Sequence, residues 1–224
     1  MAWIIDALLG DACSRCGGSA IVPGSEAGLC PSCLEDFPWI EGELCGLCGR
    51  PLISERSLCL RCRVDPHIAR RRSAFLYAGA GKSLMRAFKF ERDLRALSFI
   101  AAGIRGSIPP EWAGRAIVPV PPAPARLKRR GWDPVMALAK GVDAAAVKAL
   151  LVRCEGREQK GLGRSSRAEN LRGSFSIRRG LAVPDACLIL DDVSTTGATL
   201  RECARVLIDG GAREVACVTA ALDL

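Results

Sequence analysis

The sequence contains few of the residues from which several common binding sites are built. Aromatic residues make up 5% of the 224 residues, and His67 is the only histidine. Proteins that bind single-stranded nucleic acid usually stack its bases on aromatic side chains, so the low aromatic content counts against that class. Because the cysteines described below form complete sets of metal ligands, we interpret His67 as a surface residue.

Long hydrophobic runs and common phosphate-binding signatures are absent as well. No run of eighteen apolar residues occurs, which excludes an ordinary transmembrane helix. The apolar segment 1–10 is short, contains Asp6 and lacks a basic start, so it does not resemble a secretory signal peptide. Neither the Walker loop G-x-x-x-x-G-K-S/T nor the dinucleotide motif G-x-G-x-x-G is present. We therefore expect a cytoplasmic protein without membrane insertion.

The chain is basic, and its positive charge is concentrated in one segment. The net charge is +8, and the segment Arg115–Arg179 contains 15 lysines and arginines against 5 acidic residues. Such an excess favours anionic partners. The length allows one or two domains with a substantial core. We therefore expect a folded protein that binds a polyanionic substrate or nucleic acid.

Cysteine is abundant, and its spacing predicts metal sites. Eight of the twelve cysteines form four C-x-x-C pairs near the start of the chain: Cys13, Cys16, Cys30, Cys33, Cys45, Cys48, Cys59 and Cys62. Two thiolates at this spacing can share one tetrahedral metal, so four pairs predict two structural zinc ions. A disulfide framework is typical of secreted proteins, for which the sequence gives no signal. Sequential pairing closes each ribbon locally and is expected, although interleaved pairing stays open.

The cysteine-rich segment is predicted to be a separate unit. The basic segment Arg63–Arg72 marks its end, which gives a double zinc ribbon over residues 1–66 and a second domain over residues 67–224. Phe37 and Trp39 lie between the two ribbons and are expected to pack them together. The run Arg70–Arg72 is expected to be solvated. Zinc ribbons contact nucleic acid or protein, or serve only for docking, and the sequence does not favour one of these roles.

The segment Leu188–Thr199, LILDDVSTTGAT, predicts a buried strand, two acids, a small-residue loop and the start of a helix. From Leu200 onward, apolar residues at i, i+3, i+4, i+7 and i+8 indicate one helix face, which the pair Gly210-Gly211 ends. A second buried strand is expected at Glu214–Ala221. This unit puts a polar loop at the carboxyl end of its first strand, where open α/β sheets bind ligands.

The loop suits a phosphate, and the acids suit a sugar or a metal. The N–H groups of a first helical turn have no partners within the helix, and the helix dipole favours an anion there. Asp191 and Asp192 can accept hydrogen bonds from a sugar diol or bind Mg²⁺. The expected phosphate-binding residues are Ser194, Thr195, Thr196, Gly197, Ala198 and Thr199. An acidic strand end followed by an ordinary helix cap is the alternative.

Two basic segments are candidates for binding a pyrophosphate. A strand is expected over Ala116–Val120, followed by a basic loop and a helix capped by Asp133. The segment Glu155–Arg179 lacks periodicity and is rich in glycine, serine and cations, which is typical of a mobile lid. A nucleic-acid-binding arm is the alternative for this segment. The expected pyrophosphate-binding residues are Arg126, Arg129, Lys160 and Arg164.

Several of these motifs resemble those of known families. LILDDVSTTGAT resembles the phosphoribosyl-pyrophosphate motif of type I phosphoribosyltransferases, an apolar strand and two acids before T-T-G-x-T. FKFERD, VPVPPAPARLKRRGW and QKGLGRSSRAENLRGSF resemble segments of the ComF/GntX family of competence-associated proteins. Together with the cysteine pairs, the resemblance spans nearly the whole chain. One departure is Trp132-Asp133-Pro134, where the family usually has F-N-Q after R-G.

The resemblance implies an α/β fold with a type I phosphoribosyltransferase-like parallel sheet flanked by helices, preceded by a small N-terminal double zinc ribbon. It also implies a cytosolic role in handling imported single-stranded DNA, with DNA-uptake proteins as partners. Two functions are then open. The first is a Mg²⁺-dependent transfer from phosphoribosyl pyrophosphate, with Asp191 and Asp192 at the ribose and an acceptor that the sequence does not indicate. The second is a non-catalytic protein that binds single-stranded DNA and uses the fold as a nucleotide-binding scaffold.

Overall fold

Four parallel strands form the central sheet of the protein. The computed structural model describes residues 13, 15–18, 29–66, 68–154 and 171–224. The strands are β1 (Arg70–Leu76), β2 (Ala116–Pro119), β3 (Leu151–Arg153), β4 (Phe175–Ile177), β5 (Ala186–Ser194) and β6 (Glu214–Leu222). The order in the sheet is β1, β6, β5, β2, with β5 and β6 central, while β3 and β4 form a separate antiparallel pair. The predicted parallel sheet is confirmed.

Helices lie on both faces of this sheet. The helices that the structure describes are α1 (Pro31–Glu35), α2 (Leu60–Val64), α3 (Gly79–Arg86), α4 (Leu94–Ser107), α5 (Pro124–Arg130), α6 (Pro134–Asp143) and α7 (Ala198–Asp209). Of these, α4 and α6 pack in the core on one face and α7 packs in the core on the other. A π-helical turn, Ala87–Glu91, continues α3, and a 3₁₀ turn, Pro110–Trp112, precedes β2. The arrangement of helices around a parallel sheet follows from strands that are apolar on both faces.

Alternate residues of β5 pack into two different cores, which explains its nearly continuous apolar sequence. Leu188 and Leu190 pack in the core that contains α4 and α6, whereas Cys187 and Ile189 pack in the core that contains α7. Leu200, Cys203, Ala204 and Leu207 of the predicted apolar face of α7 are buried, whereas Ile208 is 39% exposed, and the helix ends at Asp209 with Gly210 as its cap. The strand–loop–helix–strand unit therefore forms as the periodicity of the sequence predicts.

Aromatic side chains dock the first ribbon onto the sheet. The ring of Phe37 lies 5.1 Å from that of Phe75 in β1 and 5.0 Å from that of Phe99 in α4, measured between centroids. Trp39 pairs with Phe75 through an antiparallel bridge. The prediction that Phe37 and Trp39 join the two ribbons is therefore wrong, because both rings contact Phe75 and Phe99 of the sheet domain instead, with Phe37 buried and Trp39 37% exposed.

Backbone hydrogen bonds connect both ribbons to β1, which lies at an edge of the sheet. The N–H of Leu76 donates to the carbonyl of Pro38 at 2.8 Å, next to the first ribbon. The N–H of Arg71 donates to the carbonyl of Leu47 in the second ribbon, also at 2.8 Å. The cysteine-rich segment thus covers the edge strand β1 at two positions, near Arg71 and near Leu76.

The structure corrects two expectations about basic segments. Strand β1 begins at Arg70, and Arg71 is only 4% exposed, so the prediction of a solvated run is wrong at that residue. The basic loop predicted after β2 is a helix, α5, with Pro124 in its first turn and Gly131 at φ +72° after its last residue. His67 lies outside the described residues. Among the helices that the structure describes, none combines the length and apolar character needed to cross a bilayer.

Candidate functional site

The eight cysteines form two closed metal sites in the two ribbons. The sulfur atoms of Cys13, Cys16, Cys30 and Cys33, and those of Cys45, Cys48, Cys59 and Cys62, lie within 4.8 Å of one another in each set. Sulfur–sulfur distances of 3.7 Å occur in both sets. Zinc with Zn–S bonds of about 2.3 Å in a tetrahedron needs a separation of about 3.8 Å. The sets fit two structural zinc ions, and the predicted sequential pairing is confirmed.

Backbone N–H groups at the second site favour the thiolate form that zinc binds. Burial opposes ionisation of the Cys45 thiol, but the N–H groups of Cys48, Cys59 and Leu47 outweigh it and lower the pKa to about 6. The nitrogen of Cys59 lies 3.4 Å from the Cys45 sulfur. Because four thiolates fill a tetrahedral zinc, this site is structural and leaves no position for a substrate.

The two predicted acids lie at the carboxyl end of β5, in the centre of the sheet. Asp191 accepts a hydrogen bond from the N–H of Asp192 at 2.8 Å. Burial, with the charge of Asp192 as a second cause, raises the pKa of Asp191 to about 8. Two adjacent carboxyl groups, one of which is disfavoured in its ionised form, are suited to a divalent cation or to hydroxyl donors.

Asp192 has a cationic partner that the sequence motif did not reveal. The Nζ atom of Lys89 lies 2.8 Å from Oδ2 of Asp192, with the side chains 15% and 20% exposed. Lys89 belongs to the π-helical turn Ala87–Glu91, a distortion that is frequent at functional sites. A sugar or cation that binds both acids must displace Lys89 from Asp192. The ionised form of Asp191 is disfavoured, so a cation bound there would stabilise its charge.

The predicted phosphate loop connects β5 to α7. Gly197 adopts φ +78° and precedes the helix, and the Thr196 hydroxyl accepts a hydrogen bond from the N–H of Ala198 in the first turn at 3.3 Å. Thr195 and Thr196 are exposed, and Ala198 and Thr199 are half-buried. The first turn of α7 thus points its dipole and N–H groups toward the end of β5, as binding of an anion requires.

Ser194 lies beneath this loop instead of on its surface. It is 3% exposed, and its hydroxyl accepts a hydrogen bond from Nη1 of Arg71 at 3.2 Å. Its carbonyl accepts from the N–H of Asp223 at 2.8 Å. Ser194 therefore holds the start of the loop in place, and the exposed threonines are better placed to contact a ligand.

Two of the four predicted pyrophosphate-binding residues lie at the same edge of the sheet as the acids. β2 neighbours β5, and the N–H of Val120 donates to the carbonyl of Leu190 at 2.9 Å. Helix α5 follows this strand end and exposes Arg126 and Arg129. The other two, Lys160 and Arg164, lie outside the described residues.

Known proteins resemble both parts of this chain. The double zinc ribbon domain, as a family model, matches residues 4–63. The competence protein ComFC of Streptococcus pneumoniae is 28% identical over 191 residues, which cover 84% of this chain and 84% of that protein. ComFC of Bacillus subtilis is 27% identical over 194 residues (82% and 79%), and competence protein F of Haemophilus influenzae is 26% identical over 220 residues (91% and 93%).

The chain is similar to these ComF competence proteins over most of its length. A solved structure of the allosteric regulatory enzyme of purine biosynthesis is also similar, at 19% identity and a TM-score of 0.36. That similarity covers 63% of this chain and 26% of the other. The similarity to known proteins rests on the double zinc ribbon and on the three competence proteins.

The segment Trp132-Asp133-Pro134 borders the site. Asp133 caps α6 by accepting a hydrogen bond from the N–H of Met136 at 3.0 Å. Burial is the main cause that raises the pKa of Asp133, and the charge of Asp192 contributes. Trp132 packs its ring against Phe88 at 5.2 Å. The segment thus supplies a helix cap and a third carboxyl group close to the acids of β5.

Three cations that the sequence motifs did not indicate border the site. Lys89 was present in the quoted segment FKFERD, which was the available signal. The charge of Arg153 in β3 lowers the pKa of Asp191 and opposes the effect of burial; an isolated arginine in a short strand carries no sequence signal. Arg71 was hidden in an arginine run whose composition is typical of solvent-exposed residues.

Proposed function

We propose that this chain binds phosphoribosyl pyrophosphate with Mg²⁺ at the carboxyl end of β5, as a phosphoribosyltransferase-type protein. The proposal rests on one observation: two adjacent acids, of which Asp191 has a raised pKa, lie near the carboxyl end of the central strand β5, and the N-terminus of α7 follows within a few residues. The 5′-phosphate would bind at Thr195, Thr196 and the first turn of α7. The ribose hydroxyls would bind at the acids.

The charges around the site suit a transfer that releases pyrophosphate. Asp191 and Asp192 would hold Mg²⁺, which neutralises pyrophosphate, and would lie near the positive charge that develops at the anomeric carbon. Arg126 and Arg129 at the same edge would stabilise the departing group. The described residues do not indicate the chemical class of the acceptor. The proposal therefore covers binding of the phosphoribosyl donor.

Isothermal titration with phosphoribosyl pyrophosphate and Mg²⁺ tests the proposal. The wild type is expected to bind, and Asp191→Asn together with Asp192→Asn is expected to weaken binding at least ~100-fold, because charge-assisted contacts to two groups are lost. Asp185→Asn is the matched control, since Asp185 is an exposed acid directly before the same strand. Equal affinity in the double variant and the control would end the proposal.

The affinity should also depend on pH. Below a pKa of about 8 Asp191 is protonated, and a bound cation favours its ionised form, so binding releases a proton. Affinity should therefore rise between pH 6 and 8, by at most about tenfold per pH unit, and level off above. Titration in two buffers with different heats of ionisation measures the released proton, and Asp191→Asn should abolish it.

A cytoplasmic role in DNA uptake is the biological context that we propose. Its support is the similarity to three competence proteins, which matches most of the chain. None of the twelve cysteines forms a disulfide, and eight of them make up the two zinc sites, which suits a reducing compartment. DNA-uptake proteins are the expected protein partners.

Binding of single-stranded DNA is a second candidate function, and one exposed ring favours it. Phe90 is 68% exposed, and the guanidinium of Arg130 lies 5.3 Å from its ring centroid. Arg130 is the last residue of α5, and the other basic residues of this helix are exposed beside it. An aromatic face beside cations can stack a base while the cations contact phosphates.

DNA affinity across a salt series separates these contributions. Phe90→Ala should lower affinity at every salt concentration and keep the salt slope, because stacking involves no counterions. Arg126→Gln with Arg129→Gln should reduce the slope by about one to two units. Arg213→Gln, an exposed arginine at the opposite end of the sheet, is the control. Absence of DNA binding at low salt would exclude this function.

A further inference from the structure

The second zinc site is joined to the phosphate loop by a buried arginine. Arg71 donates from Nε to the carbonyl of Cys48 at 3.1 Å and from Nη1 to the hydroxyl of Ser194 at 3.2 Å. Cys48 is a ligand of the second cysteine set, and Ser194 starts the loop. Arg71 is 4% exposed, so its charge depends on these acceptors instead of on water.

A second connection reaches the other end of the loop. The ligands Cys59 and Cys62 lie at the start and in the middle of the short helix α2, which Asp65 follows. Both carboxylate oxygens of Asp65 accept from the guanidinium of Arg201, at 3.0 and 2.8 Å. Arg201 lies in the first turn of α7, and its N–H donates to the carbonyl of Gly197. The loop is thus held at both ends by elements of the second ribbon.

The contact of the second ribbon with β1 is too close for independent movement. Gly49 has φ +70°, and a Cβ atom there would lie 2.6 Å from the carbonyl oxygen of Arg71. Arg72 also donates to the carbonyl of Cys45 at 3.4 Å. The turn that carries the ligands Cys45 and Cys48 supplies the carbonyl to which the Arg71 guanidinium donates. The conformation of this turn therefore sets the position of the guanidinium.

We propose that the second zinc site and the phosphate loop are energetically coupled, with Arg71 as the positioning residue. Zinc in the second set orders the carbonyl of Cys48, which orients Arg71 and through it Ser194. By reciprocity, an anion bound at the loop slows loss of zinc from the second set. The anion part rests on the proposed function, whereas the link between Ser194 and the zinc site does not. The first zinc site serves as an internal control.

Site-resolved thiol alkylation of the full chain tests the coupling. N-ethylmaleimide modifies a ligand cysteine only after zinc leaves, and mass spectrometry of peptides reports each set separately. Ser194→Ala should accelerate labelling of Cys45, Cys48, Cys59 and Cys62 by roughly tenfold, the effect of one lost charge-assisted hydrogen bond. The set Cys13, Cys16, Cys30 and Cys33 should keep its rate.

Two variants sharpen this result. Ser73→Ala is the matched control, because Ser73 is equally buried in β1 but bonds Thr219 and not Arg71, so labelling of the second set should keep its rate. Arg71→Lys keeps the charge but cannot form the fork to both acceptors, so it should behave like Ser194→Ala. If Arg71→Lys fails to fold, Ser194→Ala alone decides. Equal effects of Ser194→Ala on both sets, or on neither, would overturn the coupling.

Addition of phosphoribosyl pyrophosphate and Mg²⁺ forms a separate arm of the experiment. In the wild type it should slow labelling of the second set about fivefold or more, and in Ser194→Ala this protection should shrink. If the variants change labelling but the ligand has no effect, the coupling stands and the proposed ligand is wrong. If the ligand binds in calorimetry and protects both sets equally, the coupling is wrong and the proposed function stands.

Discussion

The two ribbons carry the same four-cysteine sites but are attached to the sheet by different physics. The first is docked by apolar contacts, because Leu29, Cys33 and Phe37 belong to the same core as Phe75 and the inner face of α4. The second is docked by polar contacts through backbone carbonyls and arginine side chains, and its cysteines form a small cluster of their own. The same four-cysteine site thus supports an extension of the main core in the first ribbon and a polar contact with the phosphate loop in the second.

Loss of one zinc site at a time should give the largest difference between the ribbons. Cys33→Ser should unfold the first ribbon and expose the aromatic cluster on β1, so the melting temperature of the sheet should fall by roughly 10 °C or more. Cys62→Ser should unfold the second ribbon with a smaller fall, because no part of the main core is exposed. Differential scanning calorimetry measures both, and equal falls would contradict the difference in docking.

Truncation of one apolar side chain in each ribbon makes the comparison at the level of single contacts. Phe37 is 6% exposed between two other rings, so Phe37→Ala should lower the free energy of unfolding by about 3–5 kcal/mol. Leu58 is half-buried against the second cysteine cluster, so Leu58→Ala should cost less than about 2 kcal/mol. Urea denaturation gives both values. A larger loss in Leu58→Ala would show that the second ribbon also contributes to the main core.

The ion pair between Asp65 and Arg201 should give the smallest effect. Its side chains are 57% and 39% exposed, so Asp65→Asn should cost about 0.2–1 kcal/mol at low salt and almost nothing at high salt. Asp36→Asn is the matched control in the first ribbon, where the exposed pair with Arg15 does not reach the sheet. Thermal melts at two salt concentrations measure the effect. A salt-independent loss would mean that Asp65 acts through packing.

The sequence allowed prediction of those parts whose signal is local. The continuous apolar run of β5 and the apolar stripe of α7 indicate a buried strand and an amphipathic helix, and the cysteine spacing indicates the zinc sites. Arg71 was not predictable, because its acceptors are a carbonyl 23 residues away and a hydroxyl 123 residues away. The pairing of Lys89 with Asp192 was not predictable for the same reason, because only the folded sheet brings these distant segments together.

The contacts of the ribbons with β1 have a consequence for truncated proteins. Trp39 forms a bridge with Phe75, and the carbonyls of Pro38 and Leu47 accept hydrogen bonds from β1. A fragment that begins after the ribbons would leave the outer side of β1 without partners for its N–H and C=O groups. Such an unprotected strand is a template for pairing with a second copy, and the bared Phe75 would strengthen the association. The cysteine-rich segment therefore protects the sheet from aggregation, independently of any ligand that it helps to bind.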